Sequence, residues 1–458
     1  MKKNIEIVNN PMSPQEPSMA ISANMKIMNY PVSLINSVRR TLLSDIPNVV
    51  FKKVTINNNK TNAHNEFIKH RITLLPIFRN EYFKLISLWD SSLQKRIYRF
   101  TDDLIIPKFI INKKKKHSQV YNDSTIENIT SNDFDIKIND IDLKCNDYFK
   151  KDLWTGDYIK IMILKNQEEH LQLESIPEIS FGRVHSGFSP IGSVSYSYEK
   201  ESNITIENIK QQKFLQINRE RKNKNLVEFK LNSQEHKEFN ESFDLLDSDR
   251  IYVKNKQGEC NLINMEIESI GVIEPLQAMM DAITVLQLTV QDYQKYHIYQ
   301  NKINSSKIEF HKVSDELATL IFYDETHTIG NLLTDYLRKL NSHFGKKIII
   351  FNNYKVVHPL EQILQFTIKI DSTTIKEVIT DEITTSKLIF GFLITTAFQL
   401  IEKDIGSFIR DFKEAQKTKV SNKINKPSFE IINLSQDVIH DTKSLDNKQQ
   451  FEEDDVFF

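Results

Sequence analysis

Apolar and polar positions alternate at the start of the chain. Ile5-Glu6-Ile7-Val8 and Ala20-Ile21-Ser22-Ala23-Asn24-Met25-Lys26-Ile27 predict two short strands, separated by a proline-bearing turn from Pro11 to Pro17. The period then lengthens to three and four. Leu34, Ile35, Val38, Leu42 and Ile46 predict a helix that Pro31 suits at its first turn and Pro47 ends. From Val49 to Pro190 short strands return, as in Phe51-Lys52-Lys53-Val54-Thr55-Ile56, and a polar stretch over 113–151 predicts a loose insertion among them. Ser193 to Tyr198 and Met265 to Ile270 predict two more strands, with a charged segment from Lys210 to Lys230 between them. After Gly271 and Glu274-Pro275, a helix carries Leu276, Met279, Met280, Ile283, Leu286 and Val290 on one face.

The polar, serine-containing stretch 301–307 reads as a linker. Beyond it, Leu317 to Tyr323 predicts a strand, and Thr328 to Leu340 a helix striped by Ile329, Leu332, Leu333, Tyr336, Leu337 and Leu340. Strands over Lys347 to Phe351 and Leu364 to Ile370 flank a turn at His358-Pro359-Leu360. A long helix over 383–417 carries Leu388, Phe392, Ala397, Leu400, Ile401, Ile405, Ile409 and Phe412. Residues 421–458 read as a flexible tail, acidic with aromatic ends in Phe451-Glu452-Glu453-Asp454-Asp455-Val456-Phe457-Phe458.

Two of these helices are versions of one another. In Ser33 to Leu42 and in Thr328 to Leu337, Asn36 and Asn331 each precede an apolar residue by two positions and a leucine by six. Each segment opens on a hydroxyl residue expected to cap it. A chain that carries the same packing helix twice is expected to pack it against itself, with Leu34, Ile35, Val38 and Leu42 meeting Leu332, Leu333, Tyr336 and Leu337. That points to assembly and away from a catalytic cleft.

Composition narrows the class. A length of 458 residues suggests about three compact units, each able to bury a core without staples. Cys145 and Cys260 are the two cysteines, too few and too distant for a disulfide framework or a four-cysteine zinc site. Sixty basic against 61 acidic residues leave a net charge of -1, which is not the field of a protein that coats nucleic acid. Met1-Lys2-Lys3-Asn4 lacks an apolar signal core, and no run approaches the roughly 20 apolar residues of a spanning helix, so an intracellular location off the membrane is expected.

Ser33 to Pro47, followed by Glu66-Phe67-Ile68-Lys69-His70-Arg71-Ile72-Thr73-Leu74-Leu75-Pro76-Ile77, resembles the alpha-like subunit of cellular RNA polymerases, the third-largest subunit of eukaryotic polymerase II and its archaeal counterpart. Gly182-Arg183-Val184-His185-Ser186-Gly187-Phe188-Ser189-Pro190 looks like the segment that closes that family's inserted domain, and Glu268-Ser269-Ile270-Gly271-Val272-Ile273-Glu274-Pro275 like its final strand and turn. Asp324-Glu325-Thr326-His327-Thr328-Ile329-Gly330-Asn331-Leu332-Leu333 and Tyr354-Lys355-Val356-Val357-His358-Pro359-Leu360-Glu361 are similar to the smaller alpha-like partner, the eleventh eukaryotic subunit and its own archaeal counterpart. Most of residues 1–420 are covered by the likeness, and a fusion of the two resembles the arrangement in large nucleocytoplasmic DNA viruses.

The resemblance implies an α+β fold of two alpha-like dimerisation halves packed through helices, with an inserted β-rich domain in the first. Its boundaries are expected at 1–48 and 192–300 for the first half, 49–191 for the insertion, 301–307 for the linker and 308–420 for the second half. It further implies a non-catalytic assembly subunit of a DNA-directed RNA polymerase, with nucleotidyl transfer in other chains. The two largest polymerase subunits would be its partners, small zinc-bearing subunits further candidates, and DNA would be met only through the whole complex. Asn36, Arg39 and Arg40 match the family's docking motif for a large subunit, and a guanidinium fork suits carboxylates and carbonyls. A viral origin would place the chain in host cytoplasm and virion. Thr73 stands where the family usually has glycine, and Gly187 where it has lysine.

Other chemistry is thin. Some relatives bind zinc or an iron–sulfur cluster in the inserted domain, but Cys145 is the only cysteine in this one, so no metal and no cofactor are expected. Ser131-Asn132-Asp133-Phe134-Asp135 lacks the converging carboxylates of two-metal catalysis and the glycine and terminal Glu of a calcium loop. Lys113 to Lys116 read as a solvated loop, with phosphate contact the lesser alternative. His70, His185, His327 and His358 share no ligand spacing and suit turn and capping hydrogen bonds. A nucleic-acid-binding transcription regulator on the same scaffold is the alternative. A free-standing enzyme would need a phosphate loop, nucleophile elbow or metal cluster that the sequence lacks.

Overall fold

The computed structural model describes residues 3–8, 21–79, 83–90, 95–101, 106–115, 126–138, 141–152, 155–166, 168–224, 227, 233–256, 258–295, 308–358, 361–378, 385–419, 424 and 426–432. The expected turn at Pro11 to Pro17, the linker 301–307, Pro359-Leu360 and the 451–458 end of the tail lie outside them.

The chain opens with β1 (Asn4–Ile7), β2 (Ile21–Met28) and α1 (Val32–Ser44). There follow β3 (Asn48–Asn59), α2 (Asn65–Thr73), β4 (Leu85–Asp90), β5 (Lys95–Phe100), β6 (Lys108–Lys114), β7 (Glu127–Thr130), β8 (Asp135–Ile138), β9 (Ile141–Leu143), β10 (Lys160–Leu164) and β11 (His170–Ser180). Next come β12 (Ile191–Tyr198), α3 (Asn203–Asn223), α4 (Gln234–Leu246), β13 (Leu262–Ser269) and α5 (Pro275–Lys295). The last stretch holds β14 (Ile308–Lys312), β15 (Leu317–Tyr323), α6 (His327–Phe344), β16 (Ile349–His358), β17 (Glu361–Ile370), α7 (Ser372–Lys376), α8 (Ser386–Lys419) and β18 (Phe429–Ile432). The fold is α+β.

These elements fall into two compact units, one drawn from 1–46, 189–303 and 308–426, the other mainly from 47–188 and the 427–458 stretch. Within the first unit a topology is repeated. An antiparallel sheet ordered β1-β2-β13-β12 is matched by one ordered β14-β15-β17-β16. In chain order both copies run strand, strand, helix, strand, strand, helix: β1, β2, α1, β12, β13, α5 and then β14, β15, α6, β16, β17, α8, the second with the five-residue α7 added ahead of α8. The first copy is interrupted twice, by residues 47–188 of the second unit after α1 and by the α3–α4 hairpin after β12.

Alternation decides which sheet face is buried. Ala23, Met25 and Ile27 of β2 and Ile263, Met265 and Ile267 of β13 point to one side, as do Ala318, Leu320 and Phe322 of β15 and Leu364, Phe366 and Ile368 of β17. All lie in one continuous hydrophobic core with the apolar stripes of α1, α5, α6 and α8. α1 touches α5 and α6, and α8 touches the same two helices, which is the contact pattern of a pair related by a two-fold axis.

The second unit is built on a five-stranded sheet ordered β3-β11-β6-β8-β9, with small sheets β18-β4-β5 and β10-β7. Its core is aromatic: Phe51, Phe109, Phe134, Tyr148 and Phe149 are all buried, with Phe51 and Phe109 edge to face at 5.0 Å and Phe109 and Tyr148 at 5.3 Å.

Several expectations are corrected. The loose insertion over 113–151 is instead part of this unit where it is described: it supplies β7, β8 and β9, and Phe134, Tyr148 and Phe149 to the core. Its polar residues alternate with apolar ones too short a run at a time to register as strands. The charged segment Lys210 to Lys230 forms, over 210–223, the greater part of α3. This helix packs on α4 through Phe214 and Phe239, 5.5 Å apart, and through Lys210, whose ammonium lies 2.9 Å from the Asp244 carboxylate. The region read as tail contains β18, which pairs in parallel with β4 and sets Phe429 against the Tyr98 ring at 5.5 Å. The hydroxyl caps also differ. Pro31 stands at the N-cap of α1 with no side-chain bond, and Thr326, not Thr328, caps α6.

Gly345, at φ 66°, closes α6 in the left-handed conformation that only glycine adopts without strain. Gly330 is there for a different reason. A Cβ on it would lie 2.7 Å from the Tyr354 ring and 3.0 Å from Leu364 Cδ1, so α6 sits directly on its sheet at this point. Gly330→Ala should therefore lower the stability of the unit by about 1–3 kcal/mol in a denaturant titration; an unchanged midpoint would show that the helix can lift away freely.

Candidate functional site

The seam between the two repeats is where sequence-singled residues converge. Leu34, Ile35, Val38 and Leu42 of α1 and Leu332, Leu333, Tyr336 and Leu337 of α6 are all at most 1% exposed and lie in the same core. They converge because each stripe recurs at three and four residues, so a single face of each helix is apolar.

Polar groups cross the seam at its margins. Tyr30 Oη donates to Asp411 Oδ2 at 2.7 Å, and the same ring meets Phe408 edge-on at 4.9 Å. Lys3 Nζ reaches Asp404 Oδ1 at 2.5 Å, while Tyr336 Oη donates to the other oxygen, Oδ2, at 2.7 Å. Ser33 Oγ donates to Asp335 Oδ2 at 2.5 Å, and Arg40 Nε to Thr328 Oγ1 at 2.9 Å. Between α5 and α8, Gln291 and Gln294 donate to the two carboxylate oxygens of Glu402 at 2.8 and 2.9 Å, and Tyr293 Oη of α5 donates to Glu325, which lies just ahead of α6. Burial, then the hydrogen bond and charge of Asp411, push the Tyr30 phenol far above its ordinary range. Burial and the neighbouring Asp404 do the same to Tyr336. Both phenols are therefore fixed as donors.

Of the three residues read as a docking motif, Asn36 and Arg39 bond each other on the half-buried side of α1, with Arg39 Nε 3.0 Å from Asn36 Oδ1. Arg40 is turned towards the second repeat instead. Apart from Arg40 and Tyr336, the seam's polar residues escape a reading based on apolar stripes. Their signal was there: Asp404 and Asp411 break the apolar face of α8 seven residues apart, between Ile401, Ile405, Phe408 and Phe412.

Elsewhere, the singled-out residues have structural partners. Lys113 and Lys114 end β6, with Lys113 paired to Asp133 at 2.6 Å, and Lys115 is buried with its ammonium on the Lys165 carbonyl. The loop is thus corrected to strand for Lys113 and Lys114, the latter exposed, and the solvated position to a buried one for Lys115; Lys116 lies outside the described residues. Asp133 also completes a capping box with Thr130. Burial pushes its carboxyl up, but the bonds from Lys113 and Thr130 outweigh this and leave it below its ordinary value. The rings of His70 and His185 lie 6.4 Å apart, His185 Nδ1 accepts from the Gly187 amide, and His327 Nδ1 lies 3.2 Å from Tyr354 Oη. His358 ends β16. Burial raises the Cys145 thiol to about 11, where it gives little thiolate at neutral pH. Among the described residues no three His, Cys, Asp or Glu side chains form a group that could hold a metal ion, and no helix is long and apolar enough to cross a membrane.

Comparison with known families matches both repeats. The RNA polymerase Rpb3/Rpb11 dimerisation domain is found at residues 24–289, more than half of the 458, and again at 317–395. A 62-residue stretch is 34% identical to DNA-directed RNA polymerase subunit Rpo3 of Aeropyrum pernix, covering 14% of this chain and 22% of that protein. Subunit 3 of DNA-directed RNA polymerases II, IV and V of Arabidopsis thaliana is 23% identical over 186 residues, 39% of this chain and 54% of the relative. Subunit RPAC1 of DNA-directed RNA polymerases I and III of Saccharomyces cerevisiae is 23% identical over 190 residues, 40% and 56%. The chain thus spans about half the length of the latter two relatives and less of the first.

Burying a charge in this seam should be ruinous. Leu42→Asp or Leu337→Asp is expected to cost several kcal/mol and to abolish a cooperative thermal transition of the unit, because the stripes around both positions are apolar and leave the carboxylate unpaired. A milder probe is Tyr30→Phe, which removes the donor to Asp411 and should cost about 1–3 kcal/mol by chemical denaturation; a loss below about 0.5 kcal/mol would mean that water replaces the phenol.

Proposed function

We propose an assembly function from one premise: the chain belongs to the RNA polymerase Rpb3/Rpb11 dimerisation domain family. It serves as a non-catalytic subunit of a DNA-directed RNA polymerase, one chain doing the work of a pair of alpha-like subunits. The observation that carries this reading is that two repeats of one topology, each matched by the dimerisation family, share a single core. Tethering them makes their association intramolecular, at an effective concentration on the order of millimolar for a short linker, and fixes the stoichiometry. Like its relatives named as polymerase subunits, it would work within a larger complex.

In this reading the paired repeats dock the two largest polymerase subunits, which hold the catalytic residues, and small zinc-bearing subunits join the same platform. Asn36 and Arg39, on the half-buried side of α1, are the contacts proposed for a large subunit, with the remainder of the Arg40 guanidinium beside them. The chain itself binds no cofactor and meets DNA only through the complex. A viral setting, in host cytoplasm and virion, is part of the proposal and is supported by the one-chain arrangement alone.

Affinity purification of the tagged chain from its native source tests this. Two much larger chains and template-dependent RNA synthesis are expected in the eluate, with no synthesis by the chain alone. Recovery of the chain by itself, binding DNA without large partners, would contradict the assembly role and favour a regulator.

A further inference from the structure

The two repeats share strand order, helix order and helix contacts, so nothing in their topology favours pairing first with second over pairing either repeat with its like. The side chains break that symmetry. Matching the buried positions Met279, Ile283, Leu286 and Val290 of α5 with Phe390, Ile394, Ala397 and Ile401 of α8 makes Gln291 the counterpart of Glu402 and Tyr293 that of Asp404. Matching Asn36 with Asn331 likewise makes Tyr30 the counterpart of Glu325. Two of these counterparts, Gln291 and Glu402, face each other across the seam, joined by the 2.8 Å bond that runs from amide to carboxylate. Tyr293 faces Glu325 in the same sense, phenol to carboxylate.

We infer that the seam carries a polarity code by which the second repeat refuses another copy of itself and accepts only a donor-bearing face. Pairing two second repeats would set Glu402 against Glu402 and Glu325 against Asp404, carboxylate facing carboxylate where the first repeat places an amide or a phenol. The first repeat offers an amide and a phenol at those places. Lys3 to Asp404 and Tyr30 to Asp411 run in the same direction, from first repeat to second. The pairs Ser33–Asp335 and Arg40–Thr328 do not discriminate, because Ser33 and Thr328 are themselves counterparts and place a hydroxyl on either side. The code concerns chiefly α5 and α8, and its effect is to keep two copies of this chain from associating through their acidic repeats. It rests on the pairing of repeats put forward as the assembly function.

One substitution brings two carboxylates together at this place inside a single chain, with Gln294 still donating to the far oxygen of Glu402. Gln291→Glu sets a carboxylate against Glu402, whereas Gln291→Met only deletes the bond. In thermal unfolding of the full-length protein, Gln291→Glu should melt roughly 2 °C below Gln291→Met. Adding Glu402→Gln to Gln291→Glu inverts the polarity of the pair with little change of shape, and should recover at least half of that loss. A Gln291→Glu protein as stable as Gln291→Met, or an inverted pair no better than Gln291→Glu alone, would overturn the code. Failure to co-purify large partners would remove the assembly function and leave these melting points unaffected, so the two readings fail separately.

Discussion

The first unit depends on one hydrophobic core to which both repeats contribute the apolar faces of their helices. α1 and α6 each have one apolar face already committed to a shared core, and Leu42 and Leu337 are fully buried there. A four-stranded sheet with two helices would leave such stripes in water if the other repeat were removed, at a cost of about 25 cal/mol for each Å² of apolar surface. Folding of the first repeat, which is interrupted by two large insertions, is thereby tied to folding of the second, which is continuous. The sharing of one core explains why the chain can tolerate the stretch 47–188 of another unit between α1 and β12: the repeat is held by contacts across the seam as well as by its own continuity.

Apolar burial supplies the adhesion but little direction. Leucine and isoleucine stripes on two related helices would accept each other in several combinations, as coiled-coil helices do until a polar residue decides among them. Here the polar margin does the deciding. Tyr30, Tyr293, Gln291 and Lys3 contribute donors from one side, and Asp411, Glu325, Glu402 and Asp404 contribute carboxylates from the other. Each bond is modest in net terms, about 1 kcal/mol, but a carboxylate left facing a carboxylate costs more than a missing bond.

Periodicity made much of this unit readable. The stripes of α1, α5, α6 and α8 and the alternation of β13 and β15 are local patterns, and the repeated asparagine-centred motif pointed to the pairing of α1 with α6. What was not readable has physical reasons. β18 is four residues long and is fixed by a parallel partner, β4, more than three hundred positions earlier, so no local pattern announces it. α3 buries little beyond Lys210 and Phe214, and a helix so exposed has almost no stripe to detect. In the second unit, Phe134, Tyr148 and Phe149 are isolated apolar residues in polar surroundings, and only the folded sheet shows that they share a core. The polar seam escaped because half-buried Gln, Tyr and Asp residues look like surface until their partners are known.

Native-state hydrogen exchange tests the shared core most directly. If the two repeats stand or fall together, the slowest amides of α1, α5, α6 and α8 should exchange with one common opening free energy, and those of the α3–α4 hairpin far faster. Exchange of α6 and α8 at a rate orders of magnitude apart from α1 and α5 would mean that each repeat is stable alone, and that the seam joins two finished domains without holding either together.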